Sequence, residues 1–230
     1  LALLPVVILL LFIAWKDRRD PEPIGQIFKA LLYGILSVPC SLFFSFIINK
    51  FVAIDTDSLQ TINDAFVTAF WGAAIPEESA KLLMLWLFLR RNPYFDQRVD
   101  GIVYASCITL GFAGVENIMY LYGNLDDFIS VGVNRGIFAV PGHLCDGILM
   151  GYYYSKSRFS KRFKFFVKPL IWIVPVLLHG IYDFILMSLS VESNPVNASI
   201  FYFIFIIFFV WLLKFANKRI NKLLEKDYHF

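Results

Sequence analysis

The stretch that decides the fold lies at residues 64–89 and reads DAFVTAFWGAAIPEESAKLLMLWLFL. It is long and apolar enough to cross a bilayer, which takes about 20 residues. Its middle nevertheless holds two adjacent carboxylates and a lysine, at Glu77, Glu78 and Lys81. An ionisable group costs at least about 2.5 kcal/mol at the centre of a span, so such groups mark a functional site by default. Because Pro76 removes a backbone hydrogen bond directly before them, the stretch predicts a broken or kinked membrane helix that lines a polar cavity.

The composition of the whole chain also suits a lipid environment. Of 230 residues, 58% are hydrophobic and 17% are charged, and the mean hydropathy is +0.65. We predict an all-α, polytopic helical membrane protein with about seven transmembrane helices, formed by one integral membrane domain over residues 1–230. The spans are expected at about 1–15, 29–48, 64–89, 99–122, 128–154, 166–189 and 198–215, followed by a cytoplasmic tail at 216–230.

Charged residues sort by loop and predict the orientation. Acidic residues occupy the loops after the second, fourth and sixth stretches, at Asp55, Asp57, Asp64, Asp126, Asp127 and Glu192. Basic residues follow the other four, at Lys16, Arg18, Arg19 and Lys29, then Arg90, Arg91 and Arg98, then Lys156, Arg158, Lys161, Arg162, Lys164 and Lys168, then Lys214, Lys218, Arg219 and Lys222. This alternation predicts an outer N-terminus and a cytoplasmic C-terminus.

The first apolar run, the cysteines and the net charge argue against a signal peptide, a disulfide and a nucleic-acid partner. Basic residues follow the first apolar run instead of preceding it, which predicts an uncleaved anchor and not a signal peptide. The cysteines, at Cys40, Cys107 and Cys145, all fall inside predicted spans, so no disulfide is expected. The net charge of +3 reflects membrane topology, and no nucleic-acid partner is expected.

Lys81 lies four residues after Glu77 and three after Glu78, within pairing distance of either on a helix. It can neutralise one carboxylate and leave the other as a general base or a ligand. The alternative interpretation is an internal salt bridge that stabilises the kink.

Three further stretches carry polar residues into the membrane. Glu116 lies within the fourth stretch, although a position near the outer interface would leave it partly hydrated. His143 lies in the fifth, with glycines at intervals of four residues that predict a tight helix contact. In the sixth, His179 and Asp183 are four residues apart and share one side of a helix. Arg135 either neutralises a surplus carboxylate, holds a substrate carbonyl or extends to the outer interface.

Carboxylates and imidazoles that converge from four spans resemble a hydrolytic zinc site. Such a site has about three protein ligands, an open position for water and a separate carboxylate as base. A polar cavity would admit the water. The sequence has no Gly-x-Ser-x-Gly elbow, His-Glu-x-x-His run or phosphate-binding glycine loop, so it lacks the usual signatures of serine hydrolases, soluble zincins and nucleotide-driven enzymes.

The polar elements also resemble, in order and spacing, the motifs of the PrsW family of bacterial intramembrane proteases, distant relatives of the CAAX-processing prenyl proteases. The matching elements are DRRDPEP at 17–23, Glu77-Glu78-x-x-Lys81, Phe112-x-x-x-Glu116-Asn117, Gly142-His143 and His179-x-x-Tyr182-Asp183. The resemblance extends from the first span to the sixth.

The resemblance implies a metal-dependent peptidase of the bacterial inner membrane. By analogy, Glu77 and Glu78 include the catalytic base, Lys81 belongs to the catalytic set, and Asp183 assists at the metal or the oxyanion. Zn²⁺ would be held by ligands drawn from Glu116, His143, His179 and Asp183, of which Glu116 and His179 are ligands or catalytic partners. The implied substrate is a single-pass membrane protein such as an anti-sigma factor, cleaved at site 1 in a stress-response pathway.

Two other functions use the same kinds of residue. Intramembrane acids and histidines build proton relays in ion-coupled transporters, although the chain shows no inverted repeat. A non-catalytic scaffold would use these polar groups as hydrogen bonds to a partner's membrane helix.

Overall fold

Helices dominate because a backbone in lipid must satisfy its own hydrogen bonds. The structure is a computed structural model and describes residues 1–52, 54, 59–160 and 164–228. Within these residues it contains ten α-helices, two π-helices and no strand, which confirms the all-α fold class. Asp55, Asp57, Lys161 and Arg162, which belong to the predicted charge pattern, lie outside the described residues.

The helices follow the apolar stretches of the sequence. The α-helices are α1 (Leu4–Lys16), α2 (Ile24–Ile48), α3 (Ile62–Val67), α4 (Ile75–Leu89), α5 (Asp100–Gly123), α6 (Phe128–Asn134), α7 (Val140–Phe159), α8 (Lys164–Val167), α9 (Leu170–Val191) and α10 (Pro195–Tyr228). The π-helices occupy Thr68–Ala74, between α3 and α4, and Arg135–Ala139, between α6 and α7.

Four segments of the described residues are helices long and apolar enough to cross a membrane. They are Ile24–Ile48, Asp100–Gly123, Phe165–Val191 and Pro195–Tyr228, of which the third combines α9 with most of α8. The apolar α1, at 13 residues, is shorter. The chain is thus a polytopic membrane protein, and the count of about seven spans stays a prediction.

Each π-helix ends shortly before a proline, and the two prolines begin the helices that carry most of the polar residues. Thr68–Ala74 precedes Pro76, and Arg135–Ala139 precedes Pro141. Proline has no N–H to donate to the preceding turn, and a π-helical turn widens the backbone at that point. The broken helix expected at Pro76 therefore takes the form of a π-helix that continues into α4.

Helix α5 lies at the centre of the bundle and contacts α1, α2, α4 and α7. Glycines allow the closest of these approaches. A Cβ atom added at Gly34 would overlap the carbonyl oxygen of Ile108, and one at Gly151 would overlap that of Gly101. Gly147 packs equally closely on Thr109, so α7 makes the tight helix contact expected next to His143.

The segment at 17–23 connects α1 to α2 and docks on α5. The Glu22 backbone N–H donates to Asp17 Oδ2 at 3.1 Å, and the Tyr104 hydroxyl donates to the Glu22 carboxylate. The end of α10 is fixed nearby, since the Val99 N–H donates to Asp227 Oδ2 at 2.9 Å. These contacts hold this end of the bundle together through polar groups.

Candidate metal centre between four helices

The site forms where α4, α5, α7 and α9 face one another. The residues predicted as catalytic or metal-binding all lie on these helices and come together in space. Glu77, Glu78 and Lys81 come from α4, Glu116 from α5, His143 from α7, and His179 and Asp183 from α9. The contacts described below join all seven.

Lys81 is the centre of the inner part of the site. Its side chain is fully buried, and its ammonium donates to Glu77 Oε2 at 3.1 Å, Glu78 Oε1 at 2.8 Å and His143 Nδ1 at 3.2 Å. All three N–H donors of the ammonium are therefore in use. The ammonium also lies 4.1 Å from the ring centre of Phe112. The sequence suggested that Lys81 pairs with one of the two glutamates, but in the structure it contacts both.

His179 lies between carboxylates on both sides of its ring. Its Nδ1 is 2.8 Å from Glu78 Oε1, and its Nε2 is 3.2 Å from Asp183 Oδ2. The second contact is the pairing that the four-residue spacing predicted. The Trp172 indole N–H donates to Ser79 Oγ at 2.9 Å, so α9 and α4 are fixed to each other close to this pair.

Glu116 is held by two cationic or polar partners. Arg135 Nη2 donates to Glu116 Oε2 at 2.7 Å, and His143 Nε2 lies at 2.7 Å from the same oxygen. Arg135 also donates through Nε to Asn117 and lies over the Tyr120 ring. Of the interpretations open for Arg135, the structure shows the one in which it neutralises a carboxylate.

Four of these residues could hold a metal ion. Glu77, Glu78, His143 and His179 each offer one ligand atom, and those atoms lie within 4.8 Å of one another. Glu116 and Asp183, predicted as ligands, lie outside this group of four and instead contact its two histidines. In metal sites, carboxylates placed in this way orient the ligating imidazoles.

The chemistry of the four residues fits a metal. Two carboxylates and two imidazoles form an oxygen and nitrogen donor set that suits Zn²⁺. Glu78 is fully buried, yet its Oε2 has no hydrogen-bond partner among the described residues. A buried carboxylate oxygen without a donor is costly, and a bound cation would remove that cost.

A cavity of about 490 Å³ leads from this site toward the end of the bundle where α5 and α9 end and α10 begins. Glu77, His143 and His179 line its inner part, and Glu78 does not reach it. Its walls are mainly aromatic and aliphatic, with Phe138, Leu186, Met187 and Phe205 among the lining residues. The site is therefore accessible to a ligand larger than water.

Sequence reasoning assigned no role to Asp146, which also lines the cavity. Its Oδ2 lies 3.9 Å from His179 Nδ1. The available signal was its position three residues after His143 on the same helix, which places both side chains on one face.

The fold and the site define a class, namely polytopic helical membrane proteins with a buried glutamate and histidine centre of the kind that metallopeptidases use. The family model described as "PrsW family intramembrane metalloprotease" matches residues 22–213. The chain belongs to this family, which confirms the resemblance found in the motifs, and it is a peptidase.

Several proteins named "Protease PrsW" are similar to the chain. The one from Bacillus subtilis is 34% identical over 189 residues, which cover 81% of this chain and 81% of the relative. Those from Oceanobacillus iheyensis and Clostridioides difficile are 36% and 32% identical, over 81% of this chain in both cases and over 81% and 78% of the respective relatives. No solved structure matches the chain significantly.

Proposed function

We propose that this protein is a zinc-dependent endopeptidase that cleaves single-pass membrane proteins inside or at the edge of the bilayer. One observation carries the proposal, namely the convergence of Glu77, Glu78, His143 and His179 on one buried point at the end of a cavity. Membership of a metalloprotease family supports the same chemistry.

The two glutamates differ in access, which divides their roles. Glu77 lines the cavity and its side chain keeps 16% of its exposure, whereas the Glu78 side chain is fully buried. Glu77 is thus the carboxylate that can accept a proton from water in the cavity, as a general base does. Glu78, with its unpartnered oxygen, would be a metal ligand together with His143 and His179, which leaves Glu77 as the separate base. When bound, zinc would lower the pKa of a water molecule and polarise the peptide carbonyl.

Lys81 and Arg135 keep this acidic site folded. Lys81 neutralises Glu77 and Glu78, while Arg135 neutralises Glu116. Glu116 contacts Nε2 of His143, and Asp183 contacts Nε2 of His179. Each histidine ring is therefore oriented by a carboxylate at its Nε2 atom.

The substrate that fits this site is an extended peptide segment. The cavity has a volume of about 490 Å³ and is largely apolar, which suits the juxtamembrane part of a single-pass protein. By analogy with the family, an anti-sigma factor cleaved at site 1 in a stress response is the proposed substrate. The proposed setting is the bacterial inner membrane, with the N-terminus outside, the C-terminus in the cytoplasm and residues 1–230 acting as one protease domain.

Reconstitution tests the proposal directly. Purified protein in liposomes is mixed with a single-pass reporter carrying an anti-sigma-type juxtamembrane segment, with and without a zinc chelator. We expect Glu77→Gln and Glu78→Gln to lower the cleavage rate by about 100-fold or more, and zinc to restore cleavage after chelation. Glu192→Gln, in the loop before α10, is the matched control and should cleave normally. Full cleavage by both site variants would overturn the proposal.

A further inference from the structure

Asp146 is a buried carboxylate that none of the assigned roles uses. It lies on α7, one turn after His143, and is only 4% exposed. Among the described residues, no group donates a hydrogen bond to its Oδ1. A charged group buried in this way needs a compensating partner.

A second orphaned oxygen lies close by. His179 Nδ1 is 2.8 Å from Glu78 Oε1 and 3.9 Å from Asp146 Oδ2, so two buried carboxylates face one ring nitrogen. Each of them keeps one oxygen without a partner in the described chain, Oε2 of Glu78 and Oδ1 of Asp146. Lys81 does not fill this need, because its three donors are directed at Glu77, Glu78 and His143.

The contact of the other ring nitrogen, Nε2, bears on what lies between Nδ1 and the carboxylates of Glu78 and Asp146. Nε2 lies 3.2 Å from Asp183 Oδ2, within hydrogen-bond distance for an N–H donor. If Nε2 carries that proton, the lone pair of Nδ1 points at Glu78 and Asp146. Two carboxylates and a nitrogen lone pair that face one another repel unless a proton or a metal cation lies between them. A proton on Nδ1 would leave Glu78 Oε2 and Asp146 Oδ1 without partners, whereas a metal cation could bind them.

The geometry points to Asp146 as a further ligand of the metal, on the Nδ1 side of His179 and together with Glu78. The inference rests on the proposed function only in that both require a metal at this centre. It extends the donor set to an aspartate that neither the motifs nor the group of four includes. Asp183 then orients His179 through Nε2, and Asp146 contributes an oxygen to the metal itself.

Metal binding by the purified protein tests this assignment without a protease assay. Zn²⁺ affinity is measured by competition with a chelating dye for the wild type and for Asp146→Asn, which keeps the side-chain shape. We expect Asp146→Asn to weaken zinc binding by about tenfold or more. Ser155→Ala is the matched control, because Ser155 lies on the same helix, is fully buried and also lacks a hydrogen-bond partner. Its affinity should equal that of the wild type.

A second variant separates ligation from a structural role. In Asp146→Cys loaded with Co²⁺, a thiolate bound to the metal gives a charge-transfer absorption in the near ultraviolet. The wild type, with a free cysteine at the neighbouring position 145, and Ser155→Cys should show none. This absorption would support ligation even if Asp146→Asn were poorly folded.

The inference is overturned if Asp146→Asn binds zinc as tightly as the wild type and Asp146→Cys shows no such absorption. It is also overturned if the wild type binds no metal. The same holds if, in protein saturated with metal, His179, Glu78 and Asp146 share only a proton and no metal ion lies between them. If both Asp146 variants give these negative results while Glu77→Gln and Glu78→Gln still abolish cleavage, the proposed function stands and only the assignment of Asp146 is wrong.

Discussion

At the scale of single residues, the least expected feature is a lysine at the centre of the site. The Lys81 ammonium donates hydrogen bonds to Glu77, Glu78 and His143 at the same time. An ammonium in this position competes with a bound metal for the oxygen and nitrogen atoms of the same three residues. Lys81 therefore both stabilises the acidic site and limits the charge that it presents to a metal.

Replacing Lys81 by methionine should destabilise the protein because it leaves two buried carboxylates without their cation. Removal of one partner of a buried ion pair typically costs about 3 kcal/mol or more. We expect a clear fall in the melting temperature, measured by tryptophan fluorescence in detergent, and partial recovery when zinc is added, since a ligand that binds the folded state stabilises it. Lys218→Met, at an exposed position on α10, is the control. An unchanged melting temperature for Lys81→Met would contradict the role given to this residue.

Much of the site could be predicted from residue types and spacing. Ionisable residues are so costly in lipid that their positions alone selected Glu77, Glu78, Glu116, His143 and His179. Their partners could not be predicted in the same way. Whether Glu116 pairs with Arg135, and whether Asp146 reaches His179, depends on how α5, α7 and α9 are rotated against one another, and no local pattern fixes that rotation.

At the scale of elements, a π-helix followed by a proline introduces each of the helices that carry Glu77, Glu78 and His143. The wide turn changes the direction of the face that follows it, and π-helical turns are frequent at functional sites. Proline signalled a break at Pro76, but periodicity could not show that the break is a π-helix. The last span is predicted to end near residue 215, and α10 continues without interruption through the predicted tail to Tyr228.

The close contact between α7 and α5 gives a prediction at this scale. A methyl group at Gly151 would overlap the backbone carbonyl of Gly101, so Gly151→Ala should push α7 away from α5. Overpacking of this kind costs about 1–3 kcal/mol. It should also displace His143 from Glu116, so cleavage should fall further than the amount of folded protein.

The measurement compares the melting temperature and the cleavage rate per folded molecule in the reconstituted assay. Gly25→Ala is the control, because no atom lies near enough to its added methyl group to clash. If Gly151→Ala behaves like Gly25→Ala, the contact does not position the site.

The connection between α1 and α2 gives a pH dependence that is separate from catalysis. Burial raises the pKa of Glu22 to about 8, with the nearby Asp100 charge adding to the effect and the Tyr104 hydrogen bond opposing it. A carboxyl that holds its proton more tightly in the folded state stabilises the fold fully below its unfolded pKa, near 4.5, and loses that contribution as pH rises toward 8.

We therefore expect thermal stability to fall between pH 5 and pH 8 and the fall to be shallower in Glu22→Gln. Asp17, whose pKa burial raises to about 7, contributes in the same direction and remains in the variant. Melting curves in detergent across this range give the comparison. Equal slopes for the variant and the wild type would contradict the account of this contact.

At the scale of the whole molecule, composition and hydropathy predicted an all-α membrane protein and the approximate position of every long helix. They did not predict that α5 occupies the centre of the bundle. All the apolar stretches are long enough to be buried, and only the packing of the helices determines which one is surrounded by the others. The small residues of α5 and α7 were a partial signal, since close helix approach in membranes requires them.

The proposed orientation is testable by cysteine labelling in whole cells. A cysteine replacing Asp126, between α5 and α6, should react with a reagent that cannot cross membranes. One replacing Arg158, near the end of α7, should react only after permeabilisation. Labelling of position 158 in intact cells would contradict the orientation. The native protein without added cysteines gives the background.

The central claim is that the Glu77 and Glu78 centre hydrolyses peptide bonds of membrane proteins. It is tested most directly by a mass-spectrometric comparison of new protein termini in membranes from cells that express the wild type or the Glu77→Gln/Glu78→Gln variant at equal abundance. We predict termini from one or a few single-pass proteins, near their membrane boundary, that appear only with the intact glutamates. Identical terminus profiles under several envelope stresses would contradict the claim.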